Sequence, residues 1–222
     1  MRSVLRHVLA FLLLPVCVGS SLAVVGVLSK ISWQSGPALY FLGGMFAYLA
    51  FHAIVPIPKQ IYVFAHELTH AAAVWLSGGE VKSFKVSAGS GAVAGTKGGG
   101  FVALAPYLIP TYTLIVGVGY FLVTFFSGKA PDPARFLFFL GASLAFHLAF
   151  TAEILRSPQS DLSTLGYPLS LVIIYLANLF IVAFIFYLVF RSLSFWILIR
   201  TAGERSWEIY QILWRGIASI KI

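Results

Sequence analysis

Residues 98–128 run for thirty-one positions without a single charged side chain, and residues 8–28 and 165–190 are uncharged as well. Three further apolar stretches, 38–58, 60–76 and 136–152, carry at most an occasional histidine or glutamate. A helix needs about 20 apolar residues to cross the hydrocarbon core of a bilayer. In lipid every backbone N–H and C=O must be satisfied within the protein, so such stretches fold as helices. Composition agrees: 59% of residues are hydrophobic and 10% charged, with a mean hydropathy of +0.93. A soluble domain carries about 25% charged residues to cover its surface. The chain is therefore expected to be an all-α polytopic membrane protein with about six transmembrane helices. A cytosolic enzyme, a disulfide-built secreted module and a disordered tail are excluded.

The net charge of +8, from 15 Lys and Arg against 7 Asp and Glu, does not point to nucleic acid. The basic residues lie scattered between apolar runs, as expected of groups facing anionic headgroups. The single cysteine, Cys17, has no internal partner and reads as a small hydrophobe. Arg2 and Arg6 precede the first run, which starts like a signal peptide with small residues at Ser21 and Ala23. The apolar run continues beyond them, so an uncleaved anchor is expected.

Between the apolar runs the pattern changes twice. Residues 80–97 contain Glu80, Lys82, Lys85 and Lys97 around an alternating segment. A strand over 84–88, a turn over 89–91 and a return over 92–94 predict a small β-hairpin. From Glu204 onward, Glu204, Glu208, Gln211, Arg215 and Ser219 recur at helical spacing. That predicts an amphipathic helix, lying in the membrane interface or packed on the bundle. Pro106 and Pro110 are expected to kink the 98–128 run or to divide it.

Ionisable groups inside membrane segments are costly, so a cluster of them signals function. One cluster stands out: His66-Glu67-Leu68-Thr69-His70, the H-E-x-x-H pattern on a predicted helix that ends at Gly78-Gly79. Four residues are slightly more than one turn, so both imidazoles leave the same face about 6 Å apart along the axis. This spacing lets them converge on one Zn²⁺. Glu67, one step round the helix, sits where it can take a proton from water without ligating the ion. A catalytic zinc takes three protein ligands and one open position. The residue inventory offers Asp161, Glu153, His147 and His52 for the third. Of these, Glu153 is also expected to pair with Arg156, and His52 and His147 to hydrogen-bond within the bundle. Asn178, the one amide of the last apolar run, is expected to bond between helices.

The segment 64–79, Phe-Ala-His-Glu-Leu-Thr-His-Ala-Ala-Ala-Val-Trp-Leu-Ser-Gly-Gly, resembles the zinc helix of the site-2 protease family of intramembrane zinc metallopeptidases. More narrowly, it is similar to the compact branch that lacks a PDZ domain. The glycine-rich segment 89–100 and the small and aromatic run 103–107 fit the same resemblance. The family takes its third zinc ligand from an aspartate near the end of a later membrane helix, and Asp161 in Gln159-Ser160-Asp161-Leu162 holds the matching place. The family form there is Asn-Pro-x-Asp-Gly, from which this chain departs. The resemblance covers residues 60–166 and implies one Zn²⁺ per chain held by His66, His70 and Asp161, with Glu67 as catalytic base.

The expected organisation is two N-terminal spans in residues 1–59, a zinc metallopeptidase core in 60–166, and a last span with an amphipathic helix in 167–222. The expected function is endoproteolysis of membrane-protein substrates within or near their transmembrane segments. The alternatives are a catalytically silent scaffold of the same fold and a metal or proton transporter. Expected partners are the lipid bilayer and a transmembrane protein substrate, with no nucleic acid. The expected location is the cell (inner) membrane of a bacterium. A membrane protease must hold its substrate unwound, and the hairpin next to the zinc helix is expected either to supply a sheet edge for that purpose or to be an ordinary polar connector.

Overall fold

The structure is a computed structural model that describes residues 2–56, 59–87, 90–190 and 194–219. It is mainly helical, with one two-stranded antiparallel sheet, and divides into two compact units.

Residues 1–32 and 165–222 form the first unit. It holds α1 (Arg2–Leu28), α8 (Tyr167–Val189) and α9 (Phe195–Ala218). Its core joins Ala23 and Val24 of α1, Ala183 of α8, and Leu198 and Ala202 of α9. Gly19 lets α1 approach α9 closely, since a β-carbon there would strike the backbone of Ser206. Farther along, the Tyr210 hydroxyl donates to the Leu12 carbonyl. The expected amphipathic tail is thus the second half of a 24-residue helix packed on α1. Arg200–Glu204 and Arg205–Glu208 ion pairs run along its outer face. Asn178 donates to the Ile174 carbonyl one turn earlier within α8.

The second unit, residues 33–164, carries the hairpin and the H-E-x-x-H motif. It contains α2 (Gly36–Ile54), α3 (Lys59–Leu76), β1 (Val81–Val86), β2 (Gly91–Gly95), α4 (Gly100–Leu108), α5 (Thr111–Ser127), α6 (Pro133–Ile154) and the single turn α7 (Ser160–Ser163). Ser35 caps α2 by accepting from the Ala38 N–H, and Asp132 caps α6 by accepting from Ala134. Such caps satisfy amide groups that the first helical turn leaves without partners. Helices α2 and α6 meet at two glycines. A β-carbon on Gly44 would strike the Phe138 carbonyl, and one on Gly141 the Phe41 carbonyl. Small residues at a crossing let two helix backbones touch, as they do in membrane bundles.

Helix α3 ends as its sequence predicts. Gly78 takes φ +71°, and the amides of Gly79 and Gly78 turn back to the carbonyls of Val74 and Trp75, both at 2.9 Å. This is the Schellman arrangement that a glycine permits. The chain then enters β1, which pairs with β2 from Val81↔Gly95 to Val86↔Gly91, with an irregularity between Val81 and Ser83. The hairpin lies within the expected stretch, and its strands are longer than predicted. Ala88 at the end of the expected strand, Gly89 of the expected turn, and Ile57 and Pro58 at the end of the second expected span lie outside the described residues.

Four helices among the described residues are long and apolar enough to cross a membrane: α1, α2, α6 and α8. The pair α4–α5 makes a fifth if it counts as one span, bent by 69°. The break falls at Ile109 and Pro110, whereas Pro106 remains inside α4. Of the six stretches expected to span, α3 is outside this set. Gln60, His66, Glu67 and His70 lower its hydropathy, and its polar groups line a cleft within the unit.

Candidate metal centre

Three elements bring the candidate ligands together. His66 and His70 project from α3, and Asp161 comes from α7 at the end of the polar loop that follows α6. The two imidazoles sit edge to face, with ring centroids 4.8 Å apart. Asp161 Oδ2 lies 3.4 Å from His66 Nε2 and 3.6 Å from His70 Nε2. One donor atom from each residue falls within 4.8 Å of the others. Around a tetrahedral Zn²⁺ with bonds of about 2.0–2.1 Å, neighbouring donors stand about 3.3–3.4 Å apart. The donor set, two imidazole nitrogens and one carboxylate oxygen, and its spacing therefore suit a divalent ion with one open position.

Each of the three candidate ligands has a further hydrogen-bond partner. His70 Nδ1 donates to the Val102 carbonyl of α4 at 2.8 Å. With its proton on Nδ1, a neutral imidazole presents the lone pair of Nε2. His66 Nδ1 lies 3.2 Å from the Tyr62 hydroxyl one turn earlier in α3. Asp161 Oδ2 accepts from the Tyr107 hydroxyl at 3.0 Å, and Tyr107 is fully buried. Burial alone would raise the Asp161 carboxyl. The close imidazoles of His66 and His70 and the Tyr107 hydroxyl outweigh it and hold the group well below the usual carboxylate range, so it is ionised at neutral pH.

Glu67 is 6% exposed and faces the same cleft as the three candidate ligands. Its side chain rests against β2 at Gly91, where a β-carbon would overlap the Glu67 Cγ and carboxylate. Gly95, four residues along, lies on Val74 of α3 in the same way. Successive side chains of a strand point to opposite faces, so 91 and 95 share one. The two glycines thus seat β2 directly on the motif helix. The cleft encloses about 710 Å³ and is walled by α3, β2, the start of α4 and the 159–164 segment. β2 contributes its whole length to the wall and β1 contributes nothing. The strand edge bordering the cleft is therefore the edge of β2 not bonded to β1.

The other residues weighed as third ligand lie elsewhere. His52 Nε2 stands 3.7 Å from Glu153 Oε2, and its Nδ1 is 3.2 Å from the Tyr48 hydroxyl. Glu153 therefore pairs with His52 across the α2–α6 contact, in place of the expected pairing with Arg156. His147 is buried on α6 beside a second small cavity that it shares with Tyr62, His66, Thr69 and Thr111, and it is not among the donors that converge with Asp161. Sequence reasoning missed Tyr62, Tyr107, Val102 and Gly91. Tyr62 had a local signal in its spacing of four from His66, and Gly91 and Tyr107 lie in the 89–100 and 103–107 runs, to which no individual role was given.

No protein-family model matches this chain, no curated protein matches it, and no solved structure matches it.

Proposed function

We propose that this chain is a zinc-dependent intramembrane metalloendopeptidase of the site-2 protease kind, cleaving membrane proteins within or near their transmembrane segments. The observation that carries the reading is the convergence of His66 Nε2 and His70 Nε2 on Asp161 Oδ2, at 3.4 and 3.6 Å, with one donor atom of each residue within 4.8 Å of the others. Counting α3 and the bent α4–α5 pair together with the four apolar helices gives the six membrane segments of this reading.

His66, His70 and Asp161 would hold the ion. Bound Zn²⁺ supplies a Lewis acid that polarises a carbonyl and brings the pKa of water to about 7. Glu67 accepts the proton of the attacking water and returns it to the departing amine nitrogen, so the carboxylate ends the cycle as it began. Its contact with Gly91 fixes the carboxylate beside the sheet edge. A helical substrate keeps its peptide groups hydrogen-bonded to one another, out of reach of attack. The free edge of β2 offers ladder bonds in exchange, holding an extended peptide along the cleft that contains Glu67 and the ligands.

The test is one detergent-purified preparation assayed for metal and for cleavage of a model single-span substrate. Wild type is expected to carry about one zinc per chain and to cleave. Glu67→Gln is expected to keep the zinc and lose cleavage. Wild type without zinc, or a Glu67→Gln variant that cleaves normally, overturns the proposal. Metal flux into proteoliposomes that persists in Glu67→Gln identifies a transporter instead.

A further inference from the structure

Helix α4 contains a proline where a helix interior normally excludes one. Pro106 is the seventh residue of Gly100–Leu108 and is buried. Proline has no N–H, so the helical bond from residue 106 to the carbonyl four residues earlier is missing by covalent structure. That carbonyl belongs to Val102, the group that accepts the Nδ1–H of His70 at 2.8 Å. The helix gives up a bond at one carbonyl, and a candidate metal ligand on α3 takes it.

We infer that Pro106 is a positioning residue for His70. By withholding the N–H that would engage Val102, it reserves that carbonyl for His70 Nδ1 and so leaves Nε2 with a lone pair directed at the ion. A carbonyl has two lone pairs, but an amide at position 106 would draw it along the axis of α4 and away from the imidazole. A hydrogen bond behind a ligating histidine fixes both tautomer and ring orientation, and its loss costs about 10- to 100-fold in metal affinity. Tyr107, which binds Asp161, is the next residue in the chain. Residues 102–107 of α4 thus support two of the three candidate ligands. The inference rests on the reading of His70 as a zinc ligand.

The experiment compares full-length wild type, Pro106→Ala and Pro110→Ala in detergent. Pro110 lies at the break before α5 and touches none of the three ligand side chains through a hydrogen bond. Zinc affinity is read by competition with a chromophoric chelator, and melting temperature is measured on the metal-free proteins. The imidazole ¹⁵N spectrum of the metal-free proteins is recorded at mildly alkaline pH, with His70 assigned by its loss in His70→Gln. Pro106→Ala is expected to bind zinc about tenfold more weakly. It should melt no lower than wild type, because alanine removes a helix-interior proline. Its His70 signal should shift away from the Nδ1–H tautomer, while Pro110→Ala binds zinc as wild type does. Wild-type affinity in Pro106→Ala overturns the inference, as does a loss of affinity accompanied by an equal loss of melting temperature. If wild type binds no zinc, the metal reading falls on its own and the ¹⁵N spectra decide. A tautomer indifferent to Pro106→Ala overturns the inference, and a shifted one sustains it.

Discussion

Replacing Tyr107 by phenylalanine removes a single oxygen from the supports of the candidate metal centre. The ring stays, and with it the edge-to-face contact with His66, centroids 5.2 Å apart. What goes is the 3.0 Å hydrogen bond to Asp161 Oδ2, made by a side chain with no exposure to solvent. A hydrogen bond to a charged group contributes about 1.5–3 kcal/mol. Since about 1.4 kcal/mol is tenfold in an equilibrium constant, zinc affinity is expected to fall about 10- to 100-fold, the range seen when outer partners of metal ligands are removed. Tyr62→Phe is the internal comparison. Its 3.2 Å contact joins a hydroxyl to a neutral imidazole, a class of bond that contributes about 0.5–1.5 kcal/mol, so the loss should be smaller, about 2- to 10-fold. The assay is zinc competition against a chelator on the detergent-solubilised proteins, with the metal-free melting curve as a check on folding. An affinity of Tyr107→Phe within about twofold of wild type, or a larger loss in Tyr62→Phe, refutes the argument that Asp161 ligates and is held by Tyr107.

Two further outcomes follow from close approaches that only glycine allows. Gly91→Ala places a methyl against the Glu67 carboxylate. Displacing a catalytic group by about 1 Å costs on the order of a hundredfold in turnover. Cleavage should fall by that order while zinc content stays at the wild-type level, as measured by elemental analysis and a peptide-release assay on the same sample. Gly44→Ala drives a methyl into the Phe138 carbonyl at the α2–α6 crossing. A backbone carbonyl cannot rotate aside, so the expected destabilisation is about 1–3 kcal/mol, the usual cost of overpacking, read as a lower thermal midpoint in detergent. An unchanged midpoint would mean that the two helices cross elsewhere.

What the sequence disclosed and what it hid divide along a physical line. Features set by neighbours in the chain were legible. The apolar runs gave the helices, Gly78-Gly79 gave the end of α3, and the alternation near Phe84 gave the hairpin. The spacing of His66 and His70 follows from the pitch of a helix and needs no tertiary information. Asp161 was reached by resemblance, whereas elimination alone left four candidates. The structure places them differently: His52 and Glu153 engage each other between α2 and α6, His147 borders a second small cavity shared with His66 but is outside the converging group, and Asp161 meets both imidazoles. α3 has the length of a span, but length does not record that its polar face lines a cleft, which leaves it outside the set of four apolar helices.

The supports of the ligands were hidden for a different reason. Val102 offers only its backbone to His70, and a backbone carbonyl leaves no mark in a side-chain pattern. Tyr107 reads as one more apolar residue in a membrane chain until its hydroxyl is seen on Asp161, 54 positions later. The one legible trace is negative: a proline in a helix names the carbonyl that loses its partner, four residues upstream. That carbonyl needs another donor, because a backbone group left unpaired in a buried setting costs about as much as a lost hydrogen bond. Here the donor is the imidazole whose other nitrogen faces Asp161. A helix-breaking residue and a candidate metal ligand on different helices therefore meet at one carbonyl, which the first leaves without a helical donor and the second supplies with one.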